Sequence, residues 1–146
     1  ATVVICVDAD GQHNPAYIPE LVQPIILDEA DMVIGSSFLS KQRSPVPWIK
    51  RLGNRVFSSM IRWGTGFQVS DSQSGYRAYR VDKLGSLSLV ESGMGISTEI
   101  LIKAVKNGFR IEERPVQITH NEPLTFFSLL SQGFSVLVST LRYLIW

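Results

Sequence analysis

Residues Thr2-Val3-Val4-Ile5-Cys6-Val7 form an apolar, largely β-branched run that stops at an acidic triplet, Asp8-Ala9-Asp10. Such a run suits a strand covered on both faces, which limits the chain to folds that bury their first strand. Asn14-Pro15 reads as an N-cap with proline at the first helical position. Ile18, Leu21, Val22 and Ile25 follow at helical spacing, and Pro24 is expected to end or kink the helix. Met32-Val33-Ile34-Gly35 reads as a second strand. Strand, helix, strand is a βαβ unit, so the expected class is α/β, a mostly parallel sheet flanked by helices.

Further along, residues 40–47 are polar and contain two prolines, hence a loop. Trp48, Leu52, Val56, Met60 and Trp63 recur at helical spacing, with Arg51 and Arg55 on a neighbouring face; the two tryptophans are expected as core or interface anchors. Residues 70–79 (SDSQSGYRAY) read as a loop entering a short strand. Residues 97–107 read as a helix capped by Ser97 and stopped by Gly108. Its expected buried face is Ile100, Leu101, Ala104 and Val105; Lys103 and Lys106 point to water, and Glu99 is a surface or first-turn dipole partner. Residues 109–118 alternate as a strand, and Pro115 suggests a sheet edge. In the tail, Phe126, Leu130, Phe134, Leu137, Leu141 and Ile145 face a polar stripe containing Ser131, Ser135 and Arg142. That is an amphipathic helix; it is long enough to cross a bilayer, but the polar stripe argues against it. The organisation expected is a domain over 1–120, then a loop and amphipathic helix over 121–146 that fits either a membrane interface or packing on the domain or on another subunit.

The 146 residues, 45% of them hydrophobic, suffice for one domain with a real core. A net charge of +1 supplies no bulk attraction to a polyanion, so no nucleic-acid partner is expected. Cys6 is the one cysteine, with no internal disulfide open to it, and is expected as a buried thiol. The chain enters a strand without an initiator methionine and closes on Tyr143-Leu144-Ile145-Trp146, which reads as a piece of a longer protein.

Asp8 and Asp10 carry the most chemistry. In extended backbone, residues two apart project to the same side, and ligands of open α/β sheets bind beyond the carboxyl ends of the strands. Two carboxylates placed there repel unless a cation or proton intervenes. Mg²⁺ or Mn²⁺ suits such oxygen ligands, and Gln12 could add an amide oxygen; His13 is a poorer ligand for Mg²⁺. An acidic pair in a turn is also commonly a solvated or capping group, so the pair alone does not decide.

Four segments in order add to it: residues 3–15 (VVICVDADGQHNP), Val33-Ile34-Gly35-Ser36-Ser37, Asp71-Ser72-Gln73-Ser74-Gly75-Tyr76-Arg77-Ala78, and residues 108–116 (GFRIEERPV). Together they resemble inverting family 2 glycosyltransferases with the GT-A fold, a Rossmann-like architecture of which this chain would be a part. Within that family they look most like the group that includes dolichyl-phosphate and other polyprenyl-phosphate mannosyl- and glucosyltransferases. The resemblance covers about residues 2–120. It implies that Asp8, Asp10 and Gln12 hold the divalent ion on a nucleotide sugar's diphosphate. Asp71 lines the reaction centre, Arg77 is a catalytic cation near the phosphates, and Arg51 and Ser74 meet the acceptor phosphate. It further implies a GDP-mannose or UDP-glucose type of donor, a polyprenyl-phosphate acceptor, and the cytoplasmic face of a membrane; it leaves a homo-oligomer open. An acceptor already anionic needs positioning by cations, whereas a hydroxyl acceptor would need Asp71 as base.

Three departures qualify the match. Ser37 stands where the family has arginine, unless Lys41 or Arg43 substitutes. Residues 121–125 (NEPLT) lack the basic residues usual after the last strand. The part that the family uses to contact the nucleotide base and ribose, roughly two βα units, is expected to lie outside this chain. The alternatives are a GT-A-fold scaffold without activity and a metal-dependent nucleotidyltransferase; the latter leaves the SGYRAY segment unexplained.

Overall fold

The structure, a computed structural model, describes residues 1–41, 46–119 and 126–145. Its elements are β1 (Val3–Cys6), a 3₁₀ turn (Pro15–Tyr17), α1 (Ile18–Ile26), β2 (Met32–Ser36), α2 (Trp48–Thr65), β3 (Arg77–Arg80), α3 (Val81–Gly85), α4 (Ile96–Lys106), β4 (Ile111–Pro115) and α5 (Phe126–Ile145). Asn14 caps the 3₁₀ turn through Oδ1, with Pro15 next as expected. Pro24 is tolerated in the last turn of α1, and its carbonyl accepts from Glu29 and Ala30 as the chain turns away.

The sheet runs β1-β3-β2-β4. It is mixed rather than mostly parallel: β3 lies antiparallel between β1 and β2, and only β2 and β4 pair in parallel. The βαβ expectation survives in direction, because β1, β2 and β4 all point one way. What the sequence pattern did not convey is that β3 fills the slot between β1 and β2. β4 lies at the edge, where Pro115 costs no ladder bond.

β2 is buried throughout and divides the core by its two-residue alternation. Met32 and Ile34 join Tyr79, Ile61, Leu101, Ile102 and Ala104 beneath α2 and α4. Val33 faces the other way, with Ala78, Leu21, Ile25 and Val116 against α1. Truncating a residue such as Leu101, which has no exposed surface, would cost about 2–5 kcal/mol.

Several sequence expectations need correction. Cys6 is exposed, not buried: α1 packs on Val3 and Ile5, whereas Val4 and Cys6 face the opposite side of an edge strand. Ser97 is not a cap; α4 starts at Ile96 with Gly95 at the N-cap position. Glu99 is not on the surface. It is fully buried, accepting from the Val90 and Glu91 amides at 2.9 and 2.8 Å and from Lys103 Nζ at 2.6 Å. Neither Trp48 nor Trp63 enters the core: they are 74% and 90% exposed, and α2 buries Asn54 and Ile61 instead. Among the described residues no helix is long and apolar enough to cross a membrane.

Candidate active site

The loop after β1 is pinned from both ends. The Asp8 amide donates to His13 Nδ1 at 3.2 Å, and the Gln12 amide to Asp10 Oδ1 at 3.0 Å. The His13 ring stacks on Tyr76 with centroids 4.9 Å apart, and Tyr76 Oη donates to the Asn14 carbonyl. Thr119 donates its amide to the Gln12 carbonyl, and His13 bridges to Ile118. His13 Nδ1 is therefore spent on the backbone. Asp8 and Asp10 are left exposed at the carboxyl end of β1, with Gln12 partly buried beside them.

Gly75 ties this loop to the one before β3. A methyl group there would lie 2.7 Å from Asp8 Cγ and 2.8 Å from Oδ1. The Asp8 carboxylate thus rests on the bare backbone of Gly75, four residues after Asp71. The structure brings together the first and third of the four sequence segments.

Asp71 sits deeper, 5% exposed. Burial pushes its carboxyl above the ordinary range, opposed by the Ser37 amide and hydroxyl at 3.3 Å and by the charge of Arg77. Ser37, standing where the family has arginine, is therefore a direct partner of Asp71. The loop that holds Asp71 has two anchors. Glu113 on β4 accepts from the Ser70 amide and hydroxyl and from the Asp71 amide. Asn54 on α2 donates to the Ser70 carbonyl at 2.7 Å and accepts from the Ser72 amide at 3.1 Å.

Two expected phosphate contacts lie elsewhere. Arg77 is 1% exposed, because β3 points it, like Tyr79 two residues on, beneath α4. Its guanidinium donates to the Ser97 carbonyl at 2.6 Å and the Ser72 carbonyl at 2.8 Å, so it acts as a buried strut between α4 and the Asp71 loop. Ser74 is buried too; its hydroxyl donates to the Gly35 carbonyl at 2.6 Å and accepts from the Tyr76 amide.

Arg51 is where a phosphate could reach it. It lines an open cleft of about 360 Å³ with Ser37, Asn54, Arg55, Arg62 and Ser70. All three arginines are exposed, and among the described residues none pairs with a carboxylate. Ser37 and Ser70 connect this cleft to Asp71. Arg43 and residues 121–125 lie outside the described residues, as does His120, read from sequence as a loop residue.

Sequence reasoning passed over Glu113, Asn54, Arg55 and Arg62 as site residues. Asn54 had a signal, since asparagine is a poor helix-interior residue without a side-chain task. Arg55 and Arg62 follow Arg51 by four and eleven residues, so all three fall on one helix face. Nothing in the local pattern marks Glu113.

No three acidic, histidine or cysteine side chains gather as a metal-ligating group among the described residues. Asp8 and Asp10 with the Gln12 amide make an incomplete, all-oxygen donor set. That fits a hard ion that takes its remaining ligands from water and a diphosphate.

Residues 1–87 match the family description Glycosyl transferase family 2. The chain belongs to this family. Among its relatives, the UDP-N-acetylglucosamine–dolichyl-phosphate N-acetylglucosaminyltransferase of Methanococcus voltae is 37% identical over 125 residues, which is 84% of this chain and 50% of that protein. The undecaprenyl-phosphate mannosyltransferase of Micrococcus luteus is 32% identical over 131 residues, 82% of this chain and 50% of that protein. The glucosyl-3-phosphoglycerate synthase of Mycobacterium tuberculosis, solved with phosphoglyceric acid, superposes with a TM-score of 0.78 at 20% identity, covering 98% of this chain and 50% of that one. The same enzyme solved with Mn²⁺, uridine diphosphate and phosphoglyceric acid gives 0.78 at 18% identity, over 99% and 49%. The fold of this family 2 chain is thus the expected GT-A one, and the chain spans about half the length of the relatives it matches.

Proposed function

We propose that the protein containing this chain transfers a sugar from a nucleoside-diphosphate donor, of the GDP-mannose or UDP-glucose type, to a polyprenyl phosphate at a membrane surface. The observation that carries this reading is the seating of Asp8 on Gly75. It joins an acidic pair suited to a diphosphate-bound cation with the loop that presents Asp71, next to a three-arginine cleft. The names of the relatives supply the acceptor class.

In this reading Asp8, Asp10 and Gln12 hold Mg²⁺ or Mn²⁺, which when bound supplies charge neutralisation on the departing diphosphate. Arg51, with Arg55 beside it, holds the acceptor phosphate. A phosphate oxygen attacks the anomeric carbon as the bond to the diphosphate breaks on the opposite face, inverting the centre. The phosphate is already an anion, so no base is required and the arginines contribute chiefly positioning. Asp71, fixed by Ser37, Glu113 and Asn54, shapes the inner end of the cleft. Arg77 keeps that loop in place from beneath.

The test is sugar transfer by the full-length protein to a short-chain polyprenyl phosphate, with Mg²⁺ or Mn²⁺ and each nucleotide sugar in turn. Asp10→Ala is expected to reduce kcat/KM by about a hundredfold or more, the scale of losing charge stabilisation at a leaving group. Arg51→Ala is expected to act mainly on KM for the lipid phosphate. A folded protein that turns over no nucleotide sugar would mean a scaffold, and pyrophosphate release without sugar transfer would mean a nucleotidyltransferase.

A further inference from the structure

His13 has no part in the proposed reaction, yet it holds the loop after β1 from two sides. Its Nδ1 accepts the Asp8 amide at 3.2 Å. The ring proton then sits on Nε2, and Nδ1 has no lone pair left for a metal. The ring stacks on Tyr76, with centroids 4.9 Å apart and planes inclined by 25°. Tyr76 has no exposed surface, and its hydroxyl donates at 2.9 Å to the carbonyl of Asn14, the residue after His13.

These contacts converge on one carboxylate. The bond to Nδ1 fixes the peptide plane before Asp8, and so the direction in which the Asp8 side chain leaves the backbone. That side chain meets Gly75, where an added methyl group would lie 2.8 Å from Oδ1. Gly75 and Tyr76 are adjacent in the chain, so the His13 ring rests beside the seat of the carboxylate whose backbone it holds. Tyr76 is in turn fixed to the sheet: its amide donates to Ser74 Oγ at 3.2 Å, and its carbonyl accepts from the Gly35 amide of β2 at 2.8 Å. The loop needs such support. Asp8 and Asp10 are exposed, and Gly11 between Asp10 and Gln12 is left-handed, with φ 77°. Stacking alone would be served by phenylalanine. The amide alone would be served by asparagine, whose Oδ1 stands one bond from Cγ, as Nδ1 does. Histidine does both.

We infer that His13 is a positioning residue for the divalent cation: it aims the Asp8 carboxylate by holding the Asp8 amide, and it registers that aim against the Asp71 loop through Tyr76. It is an outer partner, not a ligand. The inference rests on the reading in which Asp8, Asp10 and Gln12 hold Mg²⁺ or Mn²⁺. Outer partners that orient metal ligands are worth about tenfold to a hundredfold in metal affinity.

The test is Mn²⁺ titration of the full-length protein by electron paramagnetic resonance, alone and with uridine diphosphate, beside a melting curve and transfer kinetics. His13→Phe keeps a ring against Tyr76 and removes the acceptor. It should weaken Mn²⁺ binding about tenfold with little change in Tm. It should also lower kcat and leave KM for the polyprenyl phosphate unchanged, because the arginines of the cleft stand on α2. His13→Asn restores the acceptor without the ring and should bring Mn²⁺ affinity back to within about threefold of the wild type. Gly75→Ala disturbs the same carboxylate, so joining it to His13→Phe should cost less than the product of the two separate losses.

Wild-type Mn²⁺ affinity in His13→Phe would overturn the inference. So would a His13→Asn protein no better than His13→Phe, since stacking alone would then account for the residue. Losses that multiply in the double variant, or that follow a fall in Tm, would do the same. A wild-type protein that binds no Mn²⁺ would remove the metal reading and the inference together, whereas firm wild-type binding with an unaffected His13→Phe removes only the role of His13.

Discussion

Replacing Gly75 by alanine asks whether the acidic pair works through its seat on the following loop. The backbone of Gly75 lies outside the positive-φ region, so alanine meets no conformational penalty there. Its methyl group would stand 2.7 Å from Asp8 Cγ, whereas ordinary contact begins near 3.4 Å. Oδ2 would lie nearer still, so the carboxylate must retreat by about 1 Å. Asp8 is exposed and can rotate away, so stability should change by less than about 1 kcal/mol, as for a surface change. Misplacing a reacting group by an ångström costs about a hundredfold, so Gly75→Ala should lower kcat/KM by some tens of fold and weaken Mn²⁺ binding in parallel. The assays are Mn²⁺ titration by electron paramagnetic resonance, sugar transfer by the full-length protein, and a melting curve. Unchanged Mn²⁺ affinity and turnover would refute the claim that the Asp8–Gly75 contact sets the metal-facing geometry, and a large drop in Tm would show that the glycine is chiefly structural.

Three further substitutions probe the supports. Asn54→Ala removes three hydrogen bonds from α2 to the Asp71 loop and should cost about 2 kcal/mol in urea unfolding, since it leaves buried backbone groups unpaired. Glu99→Ala strands Lys103 and two amides and should cost about 3 kcal/mol, the scale of breaking a buried pair. Asp71→Asn keeps the shape of the cleft and should leave transfer to an already anionic phosphate largely intact, whereas a hydroxyl acceptor would lose its base; it should not lower stability at neutral pH. Asp71 holds its proton more tightly folded than unfolded; its contribution is fully present below the ordinary carboxylate value and is lost as pH climbs through the raised folded value. The asparagine variant should lack that decline, so the stability difference between the two should widen in its favour as pH rises through this window.

The elements of this fold were legible where periodicity alone decides. β1, β2, α2, α4 and the edge position of β4 follow from runs, spacing and one proline. The sheet order was not legible, because β3 is four residues long and its slot between β1 and β2 is a long-range choice made by burial of Ala78 and Tyr79. The orientation of α2 failed for a related reason. An apolar stripe at helical spacing is normally the buried one, yet α2 buries Asn54 and Ile61 and turns its tryptophans outward. Periodicity reports that a helix has two faces; which face meets the core depends on neighbours the local pattern does not contain. The site divides the same way. Asp8, Asp10 and Asp71 were readable as residue types, but Glu113 lies more than forty residues from the amides it holds.

The misassignment of Arg77 sharpens the account of the site. An arginine two residues after a loop glycine reads as a phosphate contact because arginine is usually exposed. On β3 it is instead sealed beneath α4, its two terminal NH2 groups donating to the Ser97 and Ser72 carbonyls. Its charge still reaches Asp71 and opposes the rise that burial imposes on that carboxyl. The cations therefore fall into two groups. Arg77 is enclosed; it braces the Asp71 loop at the Ser72 carbonyl and opposes the rise that burial imposes on Asp71. Arg51, Arg55 and Arg62 are open and without carboxylate partners among the described residues, and these are the ones an incoming anion can meet. An exposed cation seeking a ligand must lack a protein partner, and a strut must have one. Under the proposed function, that criterion adds Arg55 and Arg62 to Arg51 on the acceptor side and removes Arg77 from it.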